Sequence, residues 1–263
     1  MSRVAVKRAV AADKTWDNTG LLVDSTSEEI QDDSIKLLLT IDLTQSVAEE
    51  AIKQKANIIM AYHPFIFRGL KSITNADPQQ RSLLKLIQNN ISVYSPHTAV
   101  DSAKGGVNDF LADGITAGFK EESRDAIIKD STIEDCGMGR IIKLSQPVAL
   151  SKLVDNAKSS LGLKYVQVAQ ARETKDPEIS SIALCAGSGG DVFKGAKADL
   201  YYTGEISHHE ALFLTESGSS VIACNHSNTE RAFLKVMREQ LLTEIPQADI
   251  FISEKDKDPF QIW

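Results

Sequence analysis

Short apolar runs, each closed by a polar or proline-containing cluster, alternate with amphipathic stretches along most of this chain. The clearest run is Ile58, Ile59, Met60 and Ala61, followed at once by Tyr62, His63 and Pro64. An apolar tetrad ended in this way predicts a buried strand of a parallel sheet, with His63 at its C-terminal tip. Open α/β sheets place their ligands at that edge. A single histidine there is most simply a hydrogen-bonded structural group, so a functional role requires other ligand-type residues at equivalent positions.

The same reading predicts a short helix over residues 2–12 and a turn at Asp17-Asn18-Thr19-Gly20, with the Asp17 and Asn18 side chains bonding nearby backbone amides. A strand follows at residues 21–23, then a solvated acidic, serine-rich loop over 24–34 and a buried strand at 36–41. A helix from Thr44 or Ser46 to Lys55 buries Val47, Ala51 and Ile52, and Ser46 with Glu49 has capping-box spacing. Further helices are expected at 77–89 and 107–112 around a strand at 91–94. From Gly118 to Pro147 the chain turns more charged and carries Cys136-Gly137-Met138-Gly139, whose glycines read as turn punctuation because no phosphate-loop motif contains them. A strand at 140–144, an amphipathic helix at 148–161, an alternating strand at 165–171 and a charged connector over 172–178 complete the middle of the chain.

The last third repeats the first. Residues 35–64 and 181–206 each read as an apolar strand, a polar turn, a helix and a second apolar strand, which places His63 against Glu205. The repeat continues through Ile91–Asp101 and Ser219–Glu230, where His97 and Asp101 fall against His226 and Glu230. Each copy therefore carries a histidine and a carboxylate four residues apart just after a buried strand. All five histidines, at 63, 97, 208, 209 and 226, lie at these strand ends or just beyond them. Histidine and carboxylate donors suit zinc, manganese or iron without a thiolate. Two other readings stay open at this point. His97 and Asp101 also fit polar loop residues, and Ser227 to Glu230 also has capping-box spacing.

Composition narrows the classes. At 263 residues the chain is long enough for one large or two intertwined domains, and 42% hydrophobic with 25% charged residues describes a globular protein. A net charge of −7 and a pI near 5.3 argue against a broad nucleic-acid-binding face. Cys136, Cys185 and Cys224 form no CxxC pair, so neither a disulfide framework nor a thiolate zinc site is indicated, and a reducing compartment fits. No apolar run reaches the length of a bilayer-spanning helix. The opening segment, with Arg3, Lys7 and Arg8 and no acid before Asp13, has the character of an organelle-targeting start and equally of a surface helix, leaving a cytoplasmic or a mitochondrial location.

In order along the chain, WDNTGLLVD, YHPFIF, SPHTAVDSAKGGVND, TGEISHHEAL and CNHSNTE resemble the Nif-three-like family, some members of which carry the name GTP cyclohydrolase I type 2. The resemblance spans almost the whole chain. It implies an α/β fold of two intertwined repeats, each a mixed sheet with flanking helices. The first lobe, which would carry the metal site, is expected from residues 1–117 and 219–263, and the second, inserted lobe from 118–218. It also implies a toroidal homo-oligomer, usually a hexamer, with one or two divalent metal ions per chain. By resemblance the metal ligands are His63, Asp101, His226 and Glu230, with His97 as general base or as partner to a ligand. The family's paired histidines fall at Tyr62 and His63. A neutral phenol with a pKa of roughly 10 is a poor ligand at neutral pH. Tyr62 therefore marks a weakened or single-metal site of the kind found in eukaryotic members. Two functions follow as expectations: a metal-dependent hydrolase of a nucleotide or phosphoester-like small molecule, or a non-enzymatic metal-binding ring that engages a protein partner.

Overall fold

The computed structural model describes residues 16–25, 35–171 and 175–261. The helix expected over 2–12 lies outside these residues, as do most of the 24–34 loop and part of the 172–178 connector. In chain order the elements are β1 (Gly20–Val23), β2 (Lys36–Thr40), α1 (Gln45–Gln54), β3 (Ile58–Ala61), α2 (Pro78–Gln88), β4 (Ser92–Ser95), α3 (Thr98–Ser102) and α4 (Val107–Ile115). There follow β5 (Glu121–Asp125), β6 (Ile128–Lys129), β7 (Gly137–Met138), β8 (Arg140–Ala149), α5 (Leu150–Leu161), β9 (Gln167–Ala169) and β10 (Glu178–Ser188). The chain then runs through β11 (Leu200–Glu205), α6 (His208–Glu216), β12 (Ser220–Ala223), α7 (Asn228–Arg231), α8 (Leu234–Glu244) and β13 (Asp249–Ile252).

Two compact units result, one of Met1–Val100 with Leu234–Trp263 and the other of Asp101–Phe233. This division falls earlier than the expected 117/118 boundary and later than the expected 218/219 boundary. The reason is pairing. β12 is bonded to β11 and β9, and α4 packs against α5 and β10, so both expected end pieces of the first lobe are held by the second unit.

The first unit is built on a five-stranded sheet in the order β1-β4-β3-β2-β13. β13, β2, β3 and β4 are parallel, and β1 closes one edge antiparallel to β4. Leu37 to Leu39 and Ile59 to Ala61 are buried, as near-continuous apolar runs covered on both faces should be. Of these, Leu38, Ile59 and Ala61 pack with Val47, Ala48 and Ala51 of α1 and with Leu83 and Leu86 of α2. Thr44 caps α1, its hydroxyl accepting from the Val47 amide, and the helix starts at Gln45. The expected Ser46/Glu49 capping box therefore does not form. Ser46 already lies inside the helix, and Glu49 pairs with Lys85 of α2 at 2.9 Å.

The second unit carries a six-stranded mixed sheet, β5-β8-β10-β11-β12-β9, in which β10, β11 and β12 are parallel. The internal repeat is visible in the two topologies. β4-β3-β2 of the first sheet corresponds to β12-β11-β10 of the second, and an antiparallel edge strand flanks each triplet, β1 beside β4 and β9 beside β12. The copies differ on the far side, where β2 has a parallel neighbour and β10 an antiparallel one. β8 runs to Ala149, beyond the predicted 140–144, because Val148 pairs with Ile179 of β10, and this delays α5 to Leu150.

One buried ion pair anchors this second unit. The Arg140 guanidinium meets Asp109 through Nε at 2.6 Å and Nη2 at 3.1 Å and donates to the Gly137, Gly139 and Ala103 carbonyls. Burial opposes the Asp109 charge, but the Arg140 hydrogen bond and charge outweigh it and hold the carboxyl below the ordinary range. Asp109→Asn should therefore cost about 3 kcal/mol at neutral pH, the usual penalty for breaking a buried pair. Because the folded pKa is depressed, the contribution is fully present above the unfolded value of roughly 3.9 and is lost as pH falls through the folded one. Urea unfolding of both proteins across acidic and neutral pH checks this: the two stabilities should converge on acidification.

Candidate metal centre

In the first unit the parallel ladder fixes the backbone of the opening motif, since the Tyr62 and His63 amides donate to the Thr40 and Ile41 carbonyls of the β2 segment. The His63 ring then meets the carboxylate that follows β2, with Nδ1 2.9 Å from Asp42 Oδ1. His97, at the exit of β4, makes the same kind of bond to Asp17, Nδ1 to Oδ1 at 2.6 Å, while the Thr98 hydroxyl donates to Asp17 Oδ2. Asp17 is thus not a turn residue bonding its neighbours, as expected from sequence; it reaches across the sheet edge. Burial works against its charge, yet the bonds from His97 and Thr98 and the His97 charge hold its carboxyl below the usual range. The His63 and His97 ring centroids lie 5.6 Å apart. Tyr62 is buried, its ring edge-on to His63 at 5.4 Å and to His97 at 6.3 Å.

His97 stands at φ +38°, a left-handed conformation unusual for a residue other than glycine. Such outliers concentrate at functional sites, where surrounding structure holds them. Here the His97 amide donates to the Tyr62 carbonyl and the ring is tied to Asp17.

In the second unit, His226 and Glu230 come together as their spacing predicts, Nε2 to Oε1 at 3.5 Å, with Glu230 only 3% exposed. The His226 Nδ1 is 2.8 Å from Oε1 of Glu205, the residue that ends β11. The alternative reading of Glu230 as part of a capping box is settled by the backbone. Ser227 sits in the right-handed helical region, makes no side-chain cap bond, and instead accepts from Arg231. The genuine capping box lies elsewhere, between Ser207 and Glu210 at the start of α6. Asp101 lies in α3, and its charge and that of Glu230 both bear on the same buried thiol, Cys185. Burial first, then these two charges, push that thiol far above its ordinary range, so it is held as a neutral group.

Two glycines clear the space around His226. A Cβ on Gly187 would lie 2.8 Å from His226 Nε2 and 3.0 Å from Glu230 Oε1, and its φ of +62° already disfavours any side chain. A Cβ on Gly204 would lie 2.8 Å from the His226 Cα and 2.5 Å from the Gly187 carbonyl oxygen. Gly187 thus lets the backbone lie against an imidazole nitrogen and a carboxylate oxygen, the donor types that bind a divalent ion. The residues of the second unit fit such an ion.

Sequence reasoning missed three participants: Asp17, Asp42 and the bonding role of Glu205. A signal for two of them was present. Asp42 precedes His63, and Glu205 precedes His226, by the same 21 residues, one strand–helix–strand unit in each case.

An α/β protein built on two parallel-centred sheets, with histidine and carboxylate side chains at the strand ends, is the class these features define. The chain belongs to the family described as Duf34/NIF3 (NGG1p interacting factor 3), whose model matches residues 4–259. It is 50% identical over 253 residues to the Protein NIF3 homolog of Schizosaccharomyces pombe, covering 93% of this chain and 90% of the relative. It is 44% identical to NGG1-interacting factor 3 of Saccharomyces cerevisiae, with 95% and 91% covered. In fold it is similar to the crystal structure of a Bacillus cereus protein related to NIF3, with a TM-score of 0.80, 20% identity, and 100% and 99% of the two chains covered.

Substitution of Gly187 by alanine should displace His226 or Glu230 and lower stability by about 1 to 3 kcal/mol, the cost of a strained backbone. Thermal unfolding and the imidazole signals of His226 in NMR spectra check both effects; unchanged His226 signals would contradict the cradle.

Proposed function

We propose that this chain binds divalent metal through the residues that the family resemblance assigns as ligands, His63, Asp101, His226 and Glu230. The ion would serve metal-assisted hydrolysis of a nucleotide or phosphoester-like small molecule. The observation that carries this reading is the His226 Nε2 and Glu230 Oε1 pair, 3.5 Å apart and packed against Gly187, where no side chain could stand. The set is nitrogen and oxygen only, which suits zinc, manganese or iron. Membership of the Duf34/NIF3 family supports the assignment of Asp101 and His63 as metal ligands. A bound divalent ion supplies Lewis acidity and a water of lowered pKa.

The chain's own residues supply the rest. Asp17 accepts at Nδ1 of His97, which leaves the His97 Nε2 to take a proton from a nucleophilic water in the role of general base. With its side chain 16% exposed, His97 is screened from solvent while remaining reachable. The buried Tyr62 presents a phenol where a second imidazole would serve a second ion, and this favours one metal position over two.

That same substitution supports a second reading, in which the protein is a metal-stabilised homo-oligomeric ring, hexameric by resemblance, that engages a protein partner without turnover. The Saccharomyces cerevisiae relative is named as an NGG1-interacting factor, which is consistent with such a role.

Metal content by mass spectrometry should be stoichiometric in the wild type and lost in the Asp101→Ala, Glu230→Ala double variant; equal, substoichiometric metal in both would remove the site. Metal-loaded protein should then turn over at least one member of a panel of nucleotides and phosphoesters. His226→Ala should abolish this turnover, and His97→Ala should lower kcat by roughly 10²- to 10⁴-fold. Stoichiometric metal without turnover across the panel would select the non-enzymatic reading.

A further inference from the structure

The same bond recurs at both proposed histidine ligands. At His63 and at His226 it is Nδ1 that meets a carboxylate, at 2.9 Å and 2.8 Å, and in each case the carboxylate closes the neighbouring parallel strand, 21 residues earlier. Asp42 follows β2 and serves the histidine after β3; Glu205 ends β11 and serves the histidine after β12. The two pairs are not equivalent under the internal repeat, which sets His63 against Glu205. The same contact therefore occurs at two strand pairs that the internal repeat does not superpose.

We infer that Asp42 and Glu205 are positioning residues, each fixing its histidine as the Nδ1–H tautomer so that Nε2 is the nitrogen presented to the metal. The inference rests on the metal reading given above. Its chemistry is general. A neutral imidazole carries one proton and one lone pair, and a carboxylate at one nitrogen holds the proton there, leaving the lone pair on the other. A carboxylate in that place also fixes the ring plane and raises ligand basicity. At His226 the Glu205 contact at Nδ1, 2.8 Å, is of hydrogen-bond length, whereas Glu230 Oε1 stands 3.5 Å from Nε2, so Glu205 is the stronger hold on the proton. Both carboxylates are substantially exposed, the Asp42 side chain 40% and the Glu205 side chain 58%. A solvated carboxylate contributes little to stability through a surface pair. Its fixed position beside the ring nitrogen is then best accounted for by what it does to the ring.

The test uses the full chain and the metal ion alone. Long-range proton–nitrogen NMR spectra of the metal-free protein report the tautomer of each imidazole, and competition against a chelating dye gives the Zn²⁺ affinity. In the wild type, His63 and His226 should both be protonated at Nδ1. Asp42→Ala and Glu205→Ala should each release the tautomer of its own histidine only and weaken Zn²⁺ binding by roughly 10- to 100-fold. Asp42→Asn and Glu205→Gln retain an acceptor oxygen, and they should keep the Nδ1–H form and recover most of the affinity. Asp191→Asn, which removes an exposed carboxylate paired with Lys194, controls for net charge and should leave affinity unchanged. Thermal unfolding of each variant separates a loss of fold from a loss of positioning. Nε2–H tautomers in the wild type, or alanine variants that bind Zn²⁺ as tightly as a metal-binding wild type, would overturn the positioning role and leave the metal reading standing. A folded wild type that binds no Zn²⁺ would overturn both.

Discussion

The parallel hydrogen-bond ladder is the constraint on which the candidate centre depends. In each unit three adjacent parallel strands carry buried apolar side chains, and their chain exits must fall at one common edge. The ladder does more than gather the exits. Its last bonds, from the Tyr62 and His63 amides to Thr40 and Ile41 and from the Cys224 amide to Thr203 and Gly204, run past the strand ends and fix the backbone up to the functional side chains. Imidazole rings there have little freedom left except rotation, and in three cases a carboxylate removes that too.

At the strand exits of each unit the sequence departs from what stability alone would select. His97 occupies a left-handed backbone position, Gly187 and Gly204 stand where any side chain would strike the His226 region, and Glu230 is a carboxylate with 3% exposure. Each is costly in isolation, by strain, by lost backbone entropy or by desolvation. They lie in the strand triplets that carry the histidines: His97 at the exit of β4, Gly187 and Gly204 within β10 and β11, and Glu230 after β12. The Asp109–Arg140 pair shows the contrast, because every donor of its guanidinium fork is directed at structural carbonyls or at Asp109.

Family membership and fold agree with the geometry at different levels. Relatives at 50% and 44% identity establish the family, and the bacterial structure at 20% identity establishes the fold. Chemistry has to be argued from the side chains, since one fold supports many functions. In this chain three imidazoles are held at hydrogen-bond distance by carboxylates, with a buried phenol at Tyr62.

The sequence by itself determined the strands of the two repeated triplets, though not β5, β6, β7 or β13, and that His63, His97 and His226 stand at their exits. Period and punctuation are local properties, so apolar runs closed by Pro64, Pro96 and Asn225 report them directly. The His226/Glu230 spacing was equally legible, because four residues make about one helical turn. Only the tertiary structure decided the partners. Asp17 read as a turn residue because its bond to His97 spans 80 positions, and no local rule sees across that distance. The Ser46/Glu49 and Ser227/Glu230 capping boxes were legible as spacing, but each depends on where the helix starts and on the φ and ψ of a single residue, which the surrounding packing sets. The unit boundaries moved for a related reason: β12 belongs to whichever sheet offers it a ladder, and that choice is made by long-range hydrogen bonds.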